Sequence, residues 1–594
     1  MKPAKLLAAA ALLVLAALGT TAGAMAQSND GEKVVLTIGL TSTSFDTLNP
    51  LVGYSVPDYD VWIPQYDTVT RKAADDFAII PGLAESWEAS NDGKTYTYKL
   101  RDGLKWSDGQ PLTANDVAFT INRARKEAWQ NYDAYVHNLT AKVIDDQTVE
   151  VTSSVPDPKL PGLGDTYILP EHIWGKLDAK AITKYAGEDG VGSGPFVLEE
   201  FKRGQYVKMK VNPNYWGGQR PIDEIVFRLF NNADAMVAAL QKGEIDAAHN
   251  VPSEAIEQLS SEAGIVNVQG NQGGFDEIAI NAGSGLKKPH PALLDRRVRL
   301  AIAHAIDKQT LIDKVFLGQG SVLETLSPSP NPAWIPEIAA AEQFDFDIAK
   351  ANKILDDAGY KDTDGDGVRE MPGGGEPLEF SYYVRSNSET APPVSEYVSG
   401  WLKQIGIKLD RKFVDSDQLG PVIGKGGYDM FHWGWTPYVD PDQQLSYFQC
   451  DQVAKADDPT LYNNDANWCS PAYDKLYKAQ NVELDQQKRM DIVHRMLKLF
   501  RDTAFYQVFA LTPDLQAYRT DRFEGWTRQP AEVGPVIFSN TSPTYFNLTP
   551  IASSSDSGAG ISIGAIVGIV AAIVAGAALI FYFVRRRSTA EERE

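Results

Sequence analysis

Residues 83–121, LAESWEASNDGKTYTYKLRDGLKWSDGQPLTANDVAFTI, place strand, turn and helix signals in close succession. Apolar and polar residues alternate over 96–100, a pattern typical of a half-buried strand. Trp106-Ser107-Asp108-Gly109 has turn composition, and we expect it to be structural. Thr113 and Asp116 then form a Thr-x-x-Asp start signal, which predicts a helix over 113–125.

The same two patterns recur along the chain. A second strand is predicted at residues 34–38. Further helices are predicted at 296–315, 347–358, 395–405 and 485–503. Strands interleaved with helices predict an α/β fold, and no internal repeat is evident.

Length and composition exclude several classes of protein. The 594 residues exceed the roughly 250 to 300 at which a single core stops growing, so we expect two or more domains. Apolar residues at 43% and charged residues at 23% exclude wholesale disorder. A net charge of -22 repels nucleic acid, although it is also typical of any solvated surface. The sequence contains no Gly-x-Ser-x-Gly elbow, His-Glu-x-x-His pair or Walker loop, so we do not expect an enzyme.

The N-terminus has the pattern of a secretory signal peptide, residues 1–26. Lys2 and Lys5 precede an apolar run at 6–18, and Ala-Met-Ala at 24–26 supplies a small-residue cleavage site. The rival interpretation, a membrane anchor, requires about 20 apolar residues rather than about 13.

The C-terminus predicts a membrane anchor instead. Residues 561–584 are uncharged and long enough to span a bilayer. The arginines at 585–587 put the tail, 585–594, in the cytoplasm by the positive-inside rule. A Ser/Gly-rich stretch, 551–560, reads as a flexible linker. We therefore predict a single-pass protein of the cell membrane with its large segment outside.

The stretch 83–121 closely resembles the signature of the family 5 extracellular solute-binding proteins, the dipeptide, oligopeptide and nickel receptors of ABC importers. Other motifs resembling this family follow in family order and extend the resemblance over about residues 33–548: GSGPFVLEEF (192–201), VNPNYW (211–216), KGEIDAA (242–248), RRVRLAIAHAID (296–307), AKANKILDDAGY (349–360) and GYDMFHWGW (427–435). Only the C-terminal anchor departs from the usual form.

The resemblance implies a bilobed, Venus-flytrap fold of the periplasmic-binding-protein type. Domain I would be discontinuous, with residues 27–285 and 509–550, and domain II, 286–508, would be inserted within it. Ligand would be buried between the lobes by hinge closure, and a monomeric ectodomain would dock on ABC permease and ATPase subunits.

The resemblance also implies where ligand binds. Arg385, in FSYYVRSNS at 380–388, lies where peptide receptors hold the ligand carboxylate, which a guanidinium can bind through two hydrogen bonds. The alternative is a surface arginine at a strand end. The aspartate that usually binds the ligand ammonium is replaced here by Tyr438, and the next acids are Asp440 and Asp442. This departure leaves a longer peptide, a modified peptide or a non-peptide ligand open.

Aromatic residues are the remaining candidates for ligand contact. Trp435 lies in the expected cleft and offers an apolar face for stacking. Tyr54, Tyr59 and Trp62 lie where a cleft loop of the first lobe is expected. Core packing is the alternative role for the tryptophans.

The two cysteines, Cys450 and Cys469, are expected to form a disulfide, because related dipeptide receptors carry a similar pair and an exported location allows oxidation. Two thiols without further ligands make a poor zinc site.

The run DTDGDG at 362–367 resembles the first half of a calcium loop. Asp362, Asp364 and Asp366 occupy the first, third and fifth positions, but the twelfth position is glycine. Glu370 closes a shorter loop. The alternatives are a structural calcium ion and a plain Asp/Gly turn, and no other cofactor is predicted.

The predicted function is capture of peptides outside the cell for an ABC importer. A receptor of the same fold for oligosaccharide or metal chelate is the alternative, as is a sensor without its own permease. An exported peptide hydrolase is the rival from another class.

Overall fold

The structure, a computed structural model, describes residues 33–551 except 43–44, 46, 54–55, 130–131, 133–134, 456–463 and 538–540. The predicted signal peptide, transmembrane helix and cytoplasmic tail, and linker residues 552–560, lie outside this range. None of the helices within it has the length and apolar character needed to cross a bilayer.

The described strands, in chain order, are β1 (Val35–Thr41), β2 (Thr70–Lys72), β3 (Ile79–Pro81), β4 (Ala84–Ala89), β5 (Thr95–Leu100), β6 (Leu139–Asp145), β7 (Thr148–Ser153), β8 (Phe196–Lys202), β9 (Tyr206–Val211), β10 (Glu224–Phe230), β11 (Ala247–His249), β12 (Ile265–Gly270), β13 (Phe275–Ile280), β14 (Ser321–Val322), β15 (Glu379–Arg385), β16 (Lys408–Val414), β17 (Met430–Trp435), β18 (Tyr506–Leu511), β19 (Asp514–Arg519), β20 (Phe523–Glu524) and β21 (Thr549–Pro550).

The described helices are α1 (Val56–Gln65), α2 (Ala114–Glu127), α3 (Glu171–Trp174), α4 (Ala179–Ile182), α5 (Ala233–Lys242), α6 (Ser253–Ser260), α7 (Arg296–Ala305), α8 (Lys308–Lys314), α9 (Ile348–Asp357), α10 (Ala391–Lys403), α11 (Ser416–Gly424), α12 (Asp442–Ser446), α13 (Pro471–Gln480), α14 (Gln486–Arg501) and α15 (Thr544–Asn547). Short 3₁₀ turns lie at Leu160–Asp165, Pro291–Leu294, Pro332–Trp334, Ala340–Glu342 and Cys450–Gln452.

The start of α2 confirms the capping signal in the quoted stretch. The Thr113 side chain accepts from the backbone of Asn115, and the Asp116 carboxylate accepts from the backbone of Thr113. These contacts satisfy backbone donors that a helix start leaves unpaired.

The prediction of one continuous helical region over 296–315 was wrong in one respect. The structure has two helices there, α7 and α8. Ile306 is extended, with φ -95° and ψ 114°, and ends α7. The Asp307 side chain accepts from the backbone of Thr310 and starts α8. The N-cap residue Asp307 therefore starts a new helix, although the apolar pattern in the sequence continues past it.

The first lobe contains a seven-stranded sheet in the order β12-β19-β11-β1-β10-β9-β8. Its central strand β1 is parallel to β10 and β11, and apolar residues pack on both faces. A four-stranded antiparallel sheet, β4-β5-β7-β6, packs against α2 around a separate core.

The second lobe contains a six-stranded sheet in the order β14-β18-β13-β17-β15-β16. Strand β13 pairs antiparallel with β17 and β18, whereas β15 is parallel to β16 and β17. The largest apolar core surrounds this sheet.

The chain passes between the two large sheets at two short segments, 271–274 after β12 and 512–513 after β18. The predicted domain boundaries, 285/286 and 508/509, fall after β13 and within β18 rather than at the crossings, and the first assigns β13 to domain I although it pairs in the sheet of the second lobe. Two adjacent crossings are the connectivity expected of a hinge, and they bring the ends of β13, β17 and β18 toward the first lobe.

Candidate ligand-binding cleft

Arg385 lies at the carboxyl end of β15, on the same face of the sheet as Trp433. Its guanidinium carbon is 4.6 Å from the centre of the Trp433 ring. Its Nε atom is buried and has no hydrogen-bond partner among the described residues. A partly buried guanidinium with a free donor is suited to an incoming carboxylate.

Trp435 ends β17, directly opposite Phe275 of β13. Its indole Nε1 donates to Asp465 Oδ2 at 3.1 Å and to the Tyr506 hydroxyl at 2.9 Å. The ring lies 5.2 Å from that of Tyr447. The two hydrogen bonds fix the Nε1 edge of the indole ring. Because Trp435 is partly exposed, the rest of the ring contributes to the cleft wall.

Tyrosines from both lobes meet across the cleft. The ring of Tyr438 lies 6.2 Å from that of Tyr135 in an edge-to-face arrangement. Burial raises the pKa of the Tyr59 phenol well above its ordinary value, and the adjacent Tyr438 and Tyr447 raise it further. These contacts place Tyr59 of the first lobe beside the tyrosines of the second.

Trp62 lies behind this surface rather than on it. It is only 1% exposed and packs edge-to-face on Tyr59 with ring centres 5.3 Å apart. Trp62 was predicted to contact the ligand. In the structure it instead supports Tyr59 from behind. Tyr54, the remaining aromatic candidate, lies outside the described residues.

Helix α1 is tied to the hinge by a buried polar cluster. His249 lies 3.1 Å from Asp60 of α1 and 3.2 Å from Asp514, the first residue after the second crossing. Burial alone would lower the pKa of His249, but the two carboxylates raise it well above its ordinary value. A charged imidazole between two acids holds the helix that carries Tyr59 in a fixed position.

Asp440 is occupied by an ion pair within its own lobe. Arg489 donates to its two carboxylate oxygens at 2.7 and 2.8 Å and to Gln480 at 2.9 Å. Burial alone would raise the pKa of Asp440, but Arg489 holds it at about 2. The residue lines a cavity of about 340 Å³ between the lobes, yet its acceptor capacity is largely used, so the geometry favours a structural role.

The structure adds an acidic pair that sequence analysis did not identify. Glu277, on β13 opposite Trp433, is fully buried. Asp465 is close to it and accepts a hydrogen bond of 2.8 Å from the Tyr506 hydroxyl. Burial raises the pKa of Glu277 well above its ordinary value and that of Asp465 to about 7. Two adjacent acids, Asp276 and Glu277, inside the otherwise apolar strand FDEIAI were the available signal.

The predicted disulfide between Cys450 and Cys469 is present, with a Cα–Cα distance of 4.4 Å. The backbone N–H of Cys450 donates to Asp474 of α13 at 3.1 Å. The bond therefore fastens the loop after α12 to the base of α13, next to the segment that carries Asp465.

The acidic loop brings its four predicted ligands together. Carboxylate oxygens of Asp362, Asp364, Asp366 and Glu370 all lie within 4.8 Å of one another. Asp362 accepts from two backbone N–H groups, and Glu370 accepts from Thr363 at 2.7 and 2.6 Å. Oxygen ligands suit calcium, but a hydrogen-bonded turn explains the same fold, and the ion stays a prediction.

Comparison with known proteins identifies the family to which this chain belongs. The model of bacterial extracellular solute-binding proteins, family 5, matches residues 78–455. The oligopeptide-binding protein AppA of Bacillus subtilis is 27% identical over 516 residues, which cover 84% of this chain and 89% of that protein. The dipeptide-binding protein of Escherichia coli is 24% identical over 523 residues, which cover 83% of this chain and 92% of that protein.

Solved structures have the same fold. AppA from Bacillus subtilis, in complex with a nonapeptide, matches with a TM-score of 0.68 at 24% identity, covering 85% of this chain and 98% of that one. NikZ from Campylobacter jejuni, in complex with Ni(L-His), matches with a TM-score of 0.72 at 19% identity, covering 87% and 100%. The chain thus belongs to the bacterial extracellular solute-binding proteins, family 5, which are binding receptors and not enzymes.

Proposed function

We propose that this protein is the peptide receptor of an ABC importer. The observation that carries the proposal is Arg385, a partly buried guanidinium with a free Nε at the cleft end of β15. A peptide C-terminus supplies the planar carboxylate that such a fork recognises. The names of the oligopeptide- and dipeptide-binding relatives support the same ligand class.

The cleft suits an extended peptide better than a small polar solute. Its wall is formed by the aromatic residues Tyr59, Tyr438, Tyr447, Trp433 and Trp435, which offer apolar faces without demanding particular side chains. Arg385 fixes one end of the ligand. Such a surface favours binding of many peptide sequences with one common orientation.

Transport follows from closure of the two lobes over the ligand. The crossings at 271–274 and 512–513 allow one lobe to rotate against the other, and Tyr59 and Tyr438 approach from opposite sides. The closed form presents a surface that permease subunits recognise, and ATP hydrolysis takes place in separate subunits. We propose domain boundaries at these two crossings.

We further propose that the receptor is exported and anchored to the cell membrane. The signal-peptide pattern at 1–26 supports export, and the uncharged segment 561–584 followed by three arginines supports a single C-terminal span. The ectodomain would act as a monomer above the bilayer.

Thermal-shift measurements on the full-length protein with peptides of two to ten residues test the proposal. We expect stabilisation by peptides with a free C-terminus, weaker stabilisation by their C-terminal amides, and loss of this difference in Arg385→Ala. Arg411→Ala is the matched control, because Arg411 lies on the adjacent strand β16 and pairs with exposed Glu396. Stabilisation by oligosaccharides or nickel–histidine alone would keep the receptor fold and overturn the peptide assignment.

A further inference from the structure

A second cavity lies in the first lobe, apart from the ligand-binding cleft. Its volume is about 320 Å³, at the lower end of the range of roughly 300 to 1,000 Å³ that is typical of small-molecule sites. The last turn of α1, the β2–β3 hairpin and residues of the C-terminal part of the chain, at 529 and 541–547, form most of its described wall. Arg385, Trp435 and the tyrosines of the cleft are not among the described residues that line it.

The wall of this cavity is mainly apolar. Aliphatic and aromatic residues line much of it, among them Ile63, Ile80, Tyr167 and Phe546. Gln529 and Thr541 also line it, but they are bonded to other groups of the chain. The Gln529 amide donates to the Ala73 carbonyl at 3.0 Å and accepts from the Thr541 hydroxyl. The cavity therefore suits a ligand with an apolar body.

Arg71 brings a guanidinium with free donors into the wall. Its Nε and Nη2 atoms donate to the Asp67 carboxylate, and Nη2 also donates to the Tyr215 hydroxyl at 2.7 Å. Nη1 has no hydrogen-bond partner among the described residues and is not a buried atom, which leaves two accessible N–H donors. The guanidinium carbon lies 4.3 Å from the centre of the Phe546 ring. Positive charge and apolar surface therefore meet at one place.

The charges around the cavity favour a ligand with a single negative charge. Asp67 is fully engaged, because Oδ1 accepts from Arg71 and the backbone of Thr68, while Oδ2 accepts from Arg71 and from Trp216 Nε1 at 2.7 Å. Arg71 and Lys72 together outweigh Asp67 by one positive charge along the described wall. One carboxylate balances this charge and pairs with planar N–H donors, whereas a phosphate monoester carries nearly two negative charges and exceeds it.

We propose that this cavity is a second ligand site of the receptor, for a small organic acid with an apolar body and one carboxylate. Arg71 Nη1 donates to the carboxylate, and the apolar body packs against Phe546 and Ile63. The site adjoins elements that shape the cleft, because Ile63 lies on α1, which carries Tyr59, and Lys72 lines both this cavity and the one between the lobes. The proposal does not depend on the ligand that the cleft binds.

Equilibrium dialysis of the full-length protein against radiolabelled phenylacetate tests the proposal, with phenylacetamide as the uncharged probe of the same shape. Ile80 is directly opposite Arg71 in the β2–β3 pair and is 38% exposed, so the two side chains are neighbours on one face. Ile80→Glu supplies an internal carboxylate that competes for Arg71, and Ile80→Gln is its uncharged counterpart. Ile144→Glu, at an exposed isoleucine of β6, is the control, and Arg385→Ala reports binding in the cleft.

We expect wild type to bind one equivalent of phenylacetate, about tenfold or more tightly than phenylacetamide, because only the acid makes charge-assisted hydrogen bonds. Ile80→Glu should weaken phenylacetate binding about tenfold or more, and Ile80→Gln should weaken it less. Ile144→Glu and Arg385→Ala should bind phenylacetate as wild type does. Unfolding temperatures of the ligand-free variants show that each is folded.

Absence of phenylacetate binding to wild type, or equal affinity for phenylacetate and phenylacetamide, would overturn the proposal. Binding that is lost in Arg385→Ala but kept in Ile80→Glu would also overturn it, because the acid would then occupy the cleft. The two probes are compared on wild type as well, so the proposal stays testable without any variant. The peptide-receptor function is tested by the thermal shifts with peptides, so neither result decides the other.

Discussion

Asp465 brings a carboxyl group with a pKa of about 7 into contact with Tyr506 and Trp435. Between about pH 4 and pH 7 the unfolded chain loses this proton while the folded chain keeps it. The free energy of unfolding therefore falls as pH rises through this range, by about 1.4 kcal/mol per pH unit for one proton. Coupling to Glu277, which itself lies near Asp276 and Arg385, makes the slope a property of the pair.

Urea unfolding of wild type and Asp465→Asn at pH 5 to 8 measures this effect. We expect the variant to lose much of the decline in stability between pH 5 and 7, because an amide does not titrate. Asp357→Asn, a change at an exposed carboxyl, serves as the control. Parallel curves for wild type and Asp465→Asn would show that the carboxyl is ionised throughout.

The second prediction at the residue scale concerns Arg489. Its ion pair with Asp440 is largely buried and bidentate, so Arg489→Ala leaves the carboxylate with only the nearby Lys159 and the Asp442 backbone N–H to compensate its charge. We expect destabilisation of about 3 to 5 kcal/mol in urea unfolding. Lys353→Ala, which breaks the exposed pair with Asp357, should cost less than about 1 kcal/mol. Similar losses in the two variants would contradict the structural role given to Asp440.

At the element scale, local signals predicted most helices well. The helices predicted at 347–358 and 485–503 begin just after capping residues Asp347 and Asp485. The helix predicted at 395–405 begins earlier, at Ala391, because prolines fit the first helical turn. Caps act within a few residues and can be read locally. Glu277 and Asp465 meet only through sheet pairing and the fold of the disulfide loop, so their proximity could not be read from sequence.

The prediction at the element scale concerns calcium binding by the acidic loop after α9. If Asp362, Asp364, Asp366 and Glu370 bind calcium, millimolar Ca²⁺ should raise the unfolding temperature, and chelator should reverse the change. Asp364→Ala combined with Asp366→Ala should abolish the response. Mg²⁺ is the control ion, because its smaller, stricter geometry fits such a loop poorly. Equal unfolding temperatures with Ca²⁺ and chelator would leave a hydrogen-bonded turn.

At the scale of the whole molecule, the family motifs predicted the fold because they mark turns and caps shared by this architecture. Arg385, Trp435, Tyr59 and Tyr438 lie at or beside the cleft, whereas Trp62 and Asp440 are held in packing and ion-pair roles. The distinction depends on partners such as Arg489 that are distant in sequence. A single sequence indicates which lobe a residue belongs to more readily than which of its atoms remain free.

Closure of the lobes depends on contacts that cross the cleft, and Lys159 makes such a contact. Its ammonium group, on the segment after β7, lies 2.8 Å from Asp442 of α12 and 3.3 Å from Asn481 after α13. Burial alone would lower the pKa of Lys159, but Asp442 and nearby acids raise it, so the group is charged at neutral pH. The ion pair forms only when the lobes are together and therefore favours the closed state.

Lys159→Ala should shift the ligand-free protein toward the open form and weaken ligand binding by about tenfold, which corresponds to about 1.4 kcal/mol of lost closed-state stability. X-ray scattering measures the first effect as a larger radius of gyration, and calorimetry measures the second. Lys408→Ala, which breaks an exposed pair with Glu379 inside the second lobe, should change neither quantity. If Lys159→Ala left both quantities at wild-type values, the cross-cleft ion pair would not contribute to closure, and the aromatic contacts around Tyr59 and Tyr438 would have to supply it.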